Sequence, residues 1–272
     1  MQNFSISPRE MVVSLWRNRQ LTKVLIKREV IGRYRGSMLG ILWSFFNPVF
    51  MLLIYTFVFS VVFKARWSGG GDSKTEFALI LFAGLTIFNL FAECFNRAPS
   101  LVLANVNYVK KVVFPLEILP WVSMGSALFH GMISLLVWLI FYAILFGVPH
   151  PEAALFPILV SPLLLLTMGL SWFLAALGVY LRDIAQIIGL VTTSLMFLSP
   201  IFYPVSALPL DYQPLLLLNP LTPVIEQGRA LLVWGTLPDW QLFIMDFFIS
   251  LLVAWLGFAW FQKTRKGFAD VL

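Results

Sequence analysis

Few residues in this sequence are equipped for acid–base, metal or nucleophilic chemistry, and their spacing narrows the choice further. Within the long apolar stretches the ionisable side chains are Glu93, Arg97, His130 and Asp246. Glu93 and Arg97 stand four apart, in the order that favours an ion pair along one helix face. A self-neutralising pair is the expectation, with a contact to substrate as the alternative. His130 has no acid or nucleophile at helical spacing and reads as a packed neutral imidazole. Asp246 lies near the start of the last apolar stretch, within reach of an interface. The histidines are His130 and His150 and the one cysteine is Cys94, so neither a zinc-ligand spacing nor an intrachain disulfide is available. Gly-Lys never occurs, which removes the phosphate-cradling G-x-x-x-x-G-K-[ST] loop, so the chain is not its own P-loop ATPase. This set builds no proton relay, ion site or catalytic constellation.

The elements that must position these side chains follow from the charge distribution. Hydrophobic residues are 60% of the 272 and charged residues 12%, against about 45–50% and 25% in soluble domains. That balance excludes an ordinary soluble enzyme, a disordered tail and a secreted disulfide module. Charge is absent from 36–63, 77–92, 98–109, 118–151, 153–181, 184–210 and 247–262. A membrane crossing needs about 20 apolar residues. The windows predict an all-α integral membrane protein with six transmembrane helices at 39–63, 77–104, 118–147, 154–181, 184–204 and 242–261. The second must carry Glu93 and Arg97. Seven of the 16 prolines fall in 200–238, too broken for a seventh crossing, and this stretch reads as re-entrant or interfacial backbone buried against protein. Three regions result: a cytoplasmic amphipathic interface segment over 1–35, the transmembrane domain over 36–262, and a cytoplasmic tail over 263–272. No internal repeat is visible, and the first apolar run is too long for a signal peptide.

Six crossings leave both ends of the chain on one side. Fifteen of the 19 Lys and Arg residues then lie on that side, eight of them in 9–35. The positive-inside rule makes it the cytoplasm, which reads the +6 net charge as topology and not as nucleic-acid binding. The glycine run at 69–71 falls in the first outer loop and reads as a flexible turn. In 8–35, Met11, Val12, Leu15 and Trp16 share one helical face, with Glu10, Ser14 and Arg17 opposite; Leu21, Val24 and Leu25 form a second stripe out of phase. Two short helices with a bend near 18–22 are expected, lying in the membrane interface as an anchor or as a lever for a partner. Gly32, Gly36 and Gly40 recur every four residues, which predicts close backbone approach or a hinge. The loop 105–120 is short, amphipathic and stiffened by Pro115 and Pro120.

Four segments carry a resemblance: YRGSMLGILW at 34–43 leading to Asn47-Pro48; VKKVVFPLEILP at 109–120; Tyr180-Leu181-Arg182-Asp183; and Asn219-Pro220-Leu221-Thr222-Pro223 with Glu226 and Arg229. In this order, with six spans and no ATPase motif, they resemble the permease subunit of bacterial polysaccharide ABC exporters of the ABC-2 type, which serve O-antigen, capsule and teichoic acid export. The resemblance implies a multi-pass protein of the bacterial inner membrane with both termini cytoplasmic. It implies a homodimer bound to two copies of a separate ATPase subunit that carries ATP and Mg, with no cofactor on this chain. A polyprenyl-diphosphate-linked polysaccharide, first of all O-antigen, is the implied cargo. The coupling element would include Tyr108, Lys110, Lys111 and Phe114, with Trp16 on the interface helix. Short helices after the fifth span would form a periplasmic gate with Pro209, Asn219, Pro220, Glu226 and Arg229.

The first and fifth spans would line the channel. Aromatic rings stack on the C–H faces of sugars while their polar edges hydrogen-bond. Trp43, Phe45, Tyr55 and Phe59 on the first span and Phe197, Phe202 and Tyr203 on the fifth are the candidate lining residues; for any one aromatic, lipid contact is the alternative. A drug or small-lipid exporter of the same fold, and a membrane enzyme acting on polyprenyl-linked sugars, are the rival functions. The enzyme would need a clustered acidic motif, whereas Glu117 and Asp183 fall in separate inner loops.

Overall fold

A computed structural model describes residues 4–58, 74–110 and 114–272. Phe59, Lys111 and the glycine run at 69–71 lie outside the described residues. Among the described residues every regular element is helical.

The chain begins with two short helices, α1 (Pro8–Arg17) and α2 (Arg19–Arg33). Ser7 caps α1 by accepting from the Arg9 backbone N–H at 3.3 Å, and Pro8 occupies the first turn, where its missing N–H costs nothing. The expected bend falls at Asn18, whose Nδ2 donates to the Ser14 carbonyl at 2.9 Å. The buried face of α1 differs from the expected one. Met11 and Ser14 are buried while Val12 and Trp16 point outward, because the Ser14 hydroxyl is drawn inward to a buried carboxylate described below. The glycines also behave differently from a packing stripe. A Cβ on Gly32, Gly36 or Gly40 would meet nothing within 4 Å, and Gly36 and Gly40 have φ of +85° and +54°. They turn the chain out of α2 into the first long helix, using backbone space that side chains rarely enter.

The next elements are α3 (Trp43–Tyr55), α4 (Lys74–Arg97), the short α5 (Val106–Lys110), α6 (Leu119–Phe146), α7 (Phe156–Leu159) and α8 (Ser161–Tyr180). They are followed by α9 (Ile184–Leu198), α10 (Gln213–Leu217), α11 (Thr222–Trp234), α12 (Trp240–Thr264) and α13 (Phe268–Val271). Among the described residues five segments are long and apolar enough to cross a membrane: Gly40–Val58, Thr75–Ser100, Leu116–Phe146, Pro151–Tyr180 and Trp240–Val271. The expected fifth crossing is shorter than predicted. The 15 residues of α9 rise about 22 Å, against a hydrocarbon core of about 30 Å. It stops at Ser199, which is extended (φ −99°, ψ 149°), as the residue before Pro200 must be to avoid the proline ring.

α4 is the centre of the bundle, with its stretch from Phe77 to Phe88 buried throughout. Trp138 of α6 donates from Nε1 to the Leu79 carbonyl at 2.9 Å. α8 and α12 pack backbone to backbone. A Cβ on Gly169 would lie 2.5 Å from the Val253 carbonyl oxygen, and one on Gly257 would fall inside the Gly169 carbonyl. These small residues allow helices to approach closely where water gives no drive for association.

Two ends of the bundle can be recognised from their contacts. At the proximal end the Trp255 Nε1 donates to the Ile6 carbonyl at 3.0 Å, and the Tyr180 hydroxyl donates to the Thr264 carbonyl at 2.9 Å. Lys110 donates to the Leu272 carbonyl there as well. At the distal end the Tyr142 hydroxyl donates to the Val233 carbonyl at 3.2 Å, and His150 packs on Gly235.

Candidate functional site

A cavity of about 440 Å³ opens between α3, α4 and α6. α4 is apolar on its packed faces but exposes Asn89 and Asn96, with Glu93 and Arg97 half-buried beside them. These positions are three or four apart and form one polar stripe. α3 sets Ser44, Asn47 and Tyr55 opposite, and α6 adds His130 and Ser134. Pro48 has no N–H, so the Ser44 carbonyl loses its usual helical donor, and the Ser44 hydroxyl turns back to the Ile41 carbonyl at 2.7 Å. Amides and hydroxyls in this number are not tolerated against lipid; they belong on a water-filled path or a polar ligand.

The charged groups sit at the α2 side of this cavity. Arg33 reaches Glu93 at 2.5 Å, and Arg97 pairs with Glu29. Glu93 and Arg97 therefore do not pair with each other; both cross to α2. The same Glu-x-x-x-Arg spacing occurs at 29–33 and 93–97. The two spacings meet in opposite order, Arg33 to Glu93 and Glu29 to Arg97, so the helices exchange partners and all four charges are neutralised. That repeat was the signal in the sequence. His130 is likewise not an isolated packed imidazole. Its Nδ1 lies 3.2 Å from both Glu93 carboxylate oxygens and 3.1 Å from Arg33 Nη1. Nδ1 can donate to the acid or accept from the guanidinium, but one proton cannot serve both.

Of the predicted coupling residues, Tyr108, Lys110 and Phe114 come together at the proximal end. Tyr108 stacks on Phe114 with centroids 4.3 Å apart and 11° between planes, and its hydroxyl accepts from Arg28 of α2 at 3.0 Å. Lys110 is tied to Leu272 as above. Trp16 stands apart on the outer face of α1, 71% exposed, with Arg19 over its ring. Glu117, Ser14 and Arg265, which the sequence marked only as loop charge and a polar helix position, form a buried cluster next to them.

The predicted channel aromatics divide. Tyr55 lines the cavity. Trp43 is half-buried and Phe45 stands exposed at the start of α3. Phe197 stacks on Phe202 at 5.7 Å and accepts at its carbonyl from the Tyr203 hydroxyl at 2.8 Å, a cluster at the far end of α9.

The predicted gate residues follow α9: Pro209, Asn219 and Pro220 lie between α9 and α11, and Glu226 and Arg229 on α11 itself. Pro209 and Pro220 are exposed. Asn219 is the tie: Nδ2 donates to Ser199 Oγ at 2.9 Å and to the Leu198 carbonyl at 3.3 Å, while Oδ1 accepts from the Leu221 N–H at 3.0 Å. Glu226 pairs with Arg229, which is buried on α11 against Gly84 of α4. Burial pushes the Glu226 carboxyl above the usual carboxylate range, and the Arg229 guanidinium beside it pulls the other way. Asn219→Ala is expected to lower stability by about 2–3 kcal/mol, since three hydrogen bonds at about 1 kcal/mol each are lost. A thermal melt of the purified protein checks it, and an unchanged midpoint rules out this tie.

The model of the ABC-2 type transporter family matches residues 20–233. The chain belongs to that family. As an ABC-2 type chain it is similar along nearly its whole length to curated relatives. It is 29% identical over 262 residues to the O-antigen export system permease protein RfbA of Myxococcus xanthus, covering 96% of this chain and 98% of the relative. It is 25% identical over 254 residues to RfbA of Klebsiella pneumoniae, covering 93% and 95%. The polysialic acid transport protein KpsM of Escherichia coli is 25% identical over 251 residues, covering 90% and 93%.

Proposed function

We propose that this chain is the permease subunit of an ATP-driven exporter that moves a polyprenyl-diphosphate-linked polysaccharide, first of all O-antigen, outward across the bacterial cytoplasmic membrane. The single observation that carries the reading is the end-to-end similarity to an O-antigen export permease, over 96% of the chain. The amide- and hydroxyl-lined cavity suits sugar hydroxyls, which need many exchangeable hydrogen bonds and not one tight ionic site.

The chain works as a homodimer with two copies of a separate ATPase subunit that binds ATP and Mg. α3 and α9 leave Phe50, Leu53, Leu190 and Phe197 exposed, a surface that a second copy would cover to enclose a channel. The contact of Ile6 with Trp255 favours an even number of crossings, so α9 and the residues after it complete a sixth. Positive charge gathers at the proximal end, which supports a cytoplasmic location for it. There the segment around Tyr108, Lys110, Lys111 and Phe114 meets the ATPase, and Trp16, on the outer face of α1, offers it a second contact. α10 and α11 form the gate at the far side, held by Asn219.

The test is reconstitution of the chain with its ATPase subunit in inside-out-oriented vesicles supplied with polyprenyl-linked glycan. ATP-dependent protection of the glycan inside the vesicles is the expected result. Movement of a small lipid or dye, with the glycan left outside, would replace this reading with a small-molecule exporter.

A further inference from the structure

At the proximal end Glu117 joins three distant parts of the chain, two through its carboxylate and one through its backbone carbonyl. It is 8% exposed. Its Oε1 accepts from the Ser14 hydroxyl of α1 at 2.8 Å, and its Oε2 pairs with Arg265 Nη1, just past α12, at 2.5 Å. Its backbone carbonyl accepts from Trp172 Nε1 of α8 at 3.0 Å. Arg265 Nη2 donates in turn to the Phe114 carbonyl at 2.8 Å. The coupling segment is thus held at two described points: at Tyr108 by Arg28 of α2, and at Glu117 by α1, α8 and the end of α12. A buried ion pair adds little net stability, because desolvation offsets attraction. What it does well is fix one arrangement, since every alternative leaves a buried charge unpaired.

We infer that Glu117 is a positioning residue for coupling: through Ser14, Arg265 and Trp172 it locks the end of the coupling segment, residues 114–118, to α1 and to the α8–α12 pair. This rests on the reading above, in which that segment meets the ATPase. α8 and α12 touch through glycine backbones, so they move as one body. A displacement of the segment then passes sideways into that body as well as directly along the chain into α6.

The test uses the full chain with its ATPase subunit in vesicles, measuring ATP hydrolysis and glycan export in one preparation. In Glu117→Gln, assembly and hydrolysis persist while glycan moved per ATP falls about tenfold, the scale of one disrupted charged contact. Ser14→Ala, which keeps the Arg265 pair, lowers the ratio about threefold. The exchange Glu117→Arg with Arg265→Glu raises it above that of Glu117→Gln. A wild-type ratio in Glu117→Gln overturns the inference, as does loss of hydrolysis and export in equal proportion. Should Glu117→Gln fail to assemble, a wild-type ratio in Ser14→Ala overturns it. Spin labels at the exposed positions Asn107 and Lys263 read the link without cargo. Their separation stays constant on adding ATP in the wild type and changes in Glu117→Gln; a change in the wild type overturns the inference. A wild-type complex with constant label separation that moves no glycan overturns the functional reading alone.

Discussion

Gly257→Ala is expected to prevent the bundle from closing, with a loss of about 3 kcal/mol or more, at the upper end of overpacking penalties. The new methyl would occupy the space of the Gly169 carbonyl oxygen. A flexible side chain can swing aside, but a helix backbone cannot. The whole of α12 would have to withdraw from α8, and with it the buried rings of Trp172 and Phe258, which meet edge to face at 5.2 Å. Gly189→Ala on α9 is the control, because a Cβ there meets nothing within 4 Å and alanine is the better helix former by about 1 kcal/mol. Melting of the two purified variants decides the matter. Equal midpoints would mean that α8 and α12 are not held by glycine contact.

The double variant Asn89→Leu, Asn96→Leu is expected to cut glycan export about tenfold or more, since two hydrogen bonds at about 1 kcal/mol each exceed the 1.4 kcal/mol of one decade. Both side chains are exposed, so folding should change by no more than about 0.5 kcal/mol. Asn96 also accepts from the Thr192 hydroxyl at 2.8 Å, but Thr192 keeps its bond to the Ile188 carbonyl at 2.8 Å. Export and complex assembly measured together give the answer. Undiminished export by an assembled complex would take the cavity off the cargo path.

Much of the fold was legible wherever charge bounds an apolar run. α6 occupies Leu119–Phe146 within the expected 118–147, and α12 covers the expected 242–261, because lipid demands long unbroken runs. The break at Asn18 was legible from two stripes out of phase. The site was less so. Spacing along one helix exposes only that helix, so Glu93 and Arg97 looked like each other's partners until α2 was set beside them. Glycine spacing at 32, 36 and 40 allowed either close approach or a hinge, and the structure has a turn at Gly36 and Gly40, while the close contact is made by Gly169 and Gly257, 88 positions apart. Glu117 looked like a loop charge because nothing local announces that a serine 103 residues earlier and an arginine 148 residues later converge on it.

The bond from Trp255 to the Ile6 carbonyl joins residues 249 apart. A ribosome adding about 5–20 residues per second needs about 10–50 s to make the one after the other. Throughout synthesis α1 is finished while its last neighbour does not exist. Its outward face, with Val12 and Trp16 exposed, gives it a resting place on the lipid surface during that interval, so a helix made early takes its seat late.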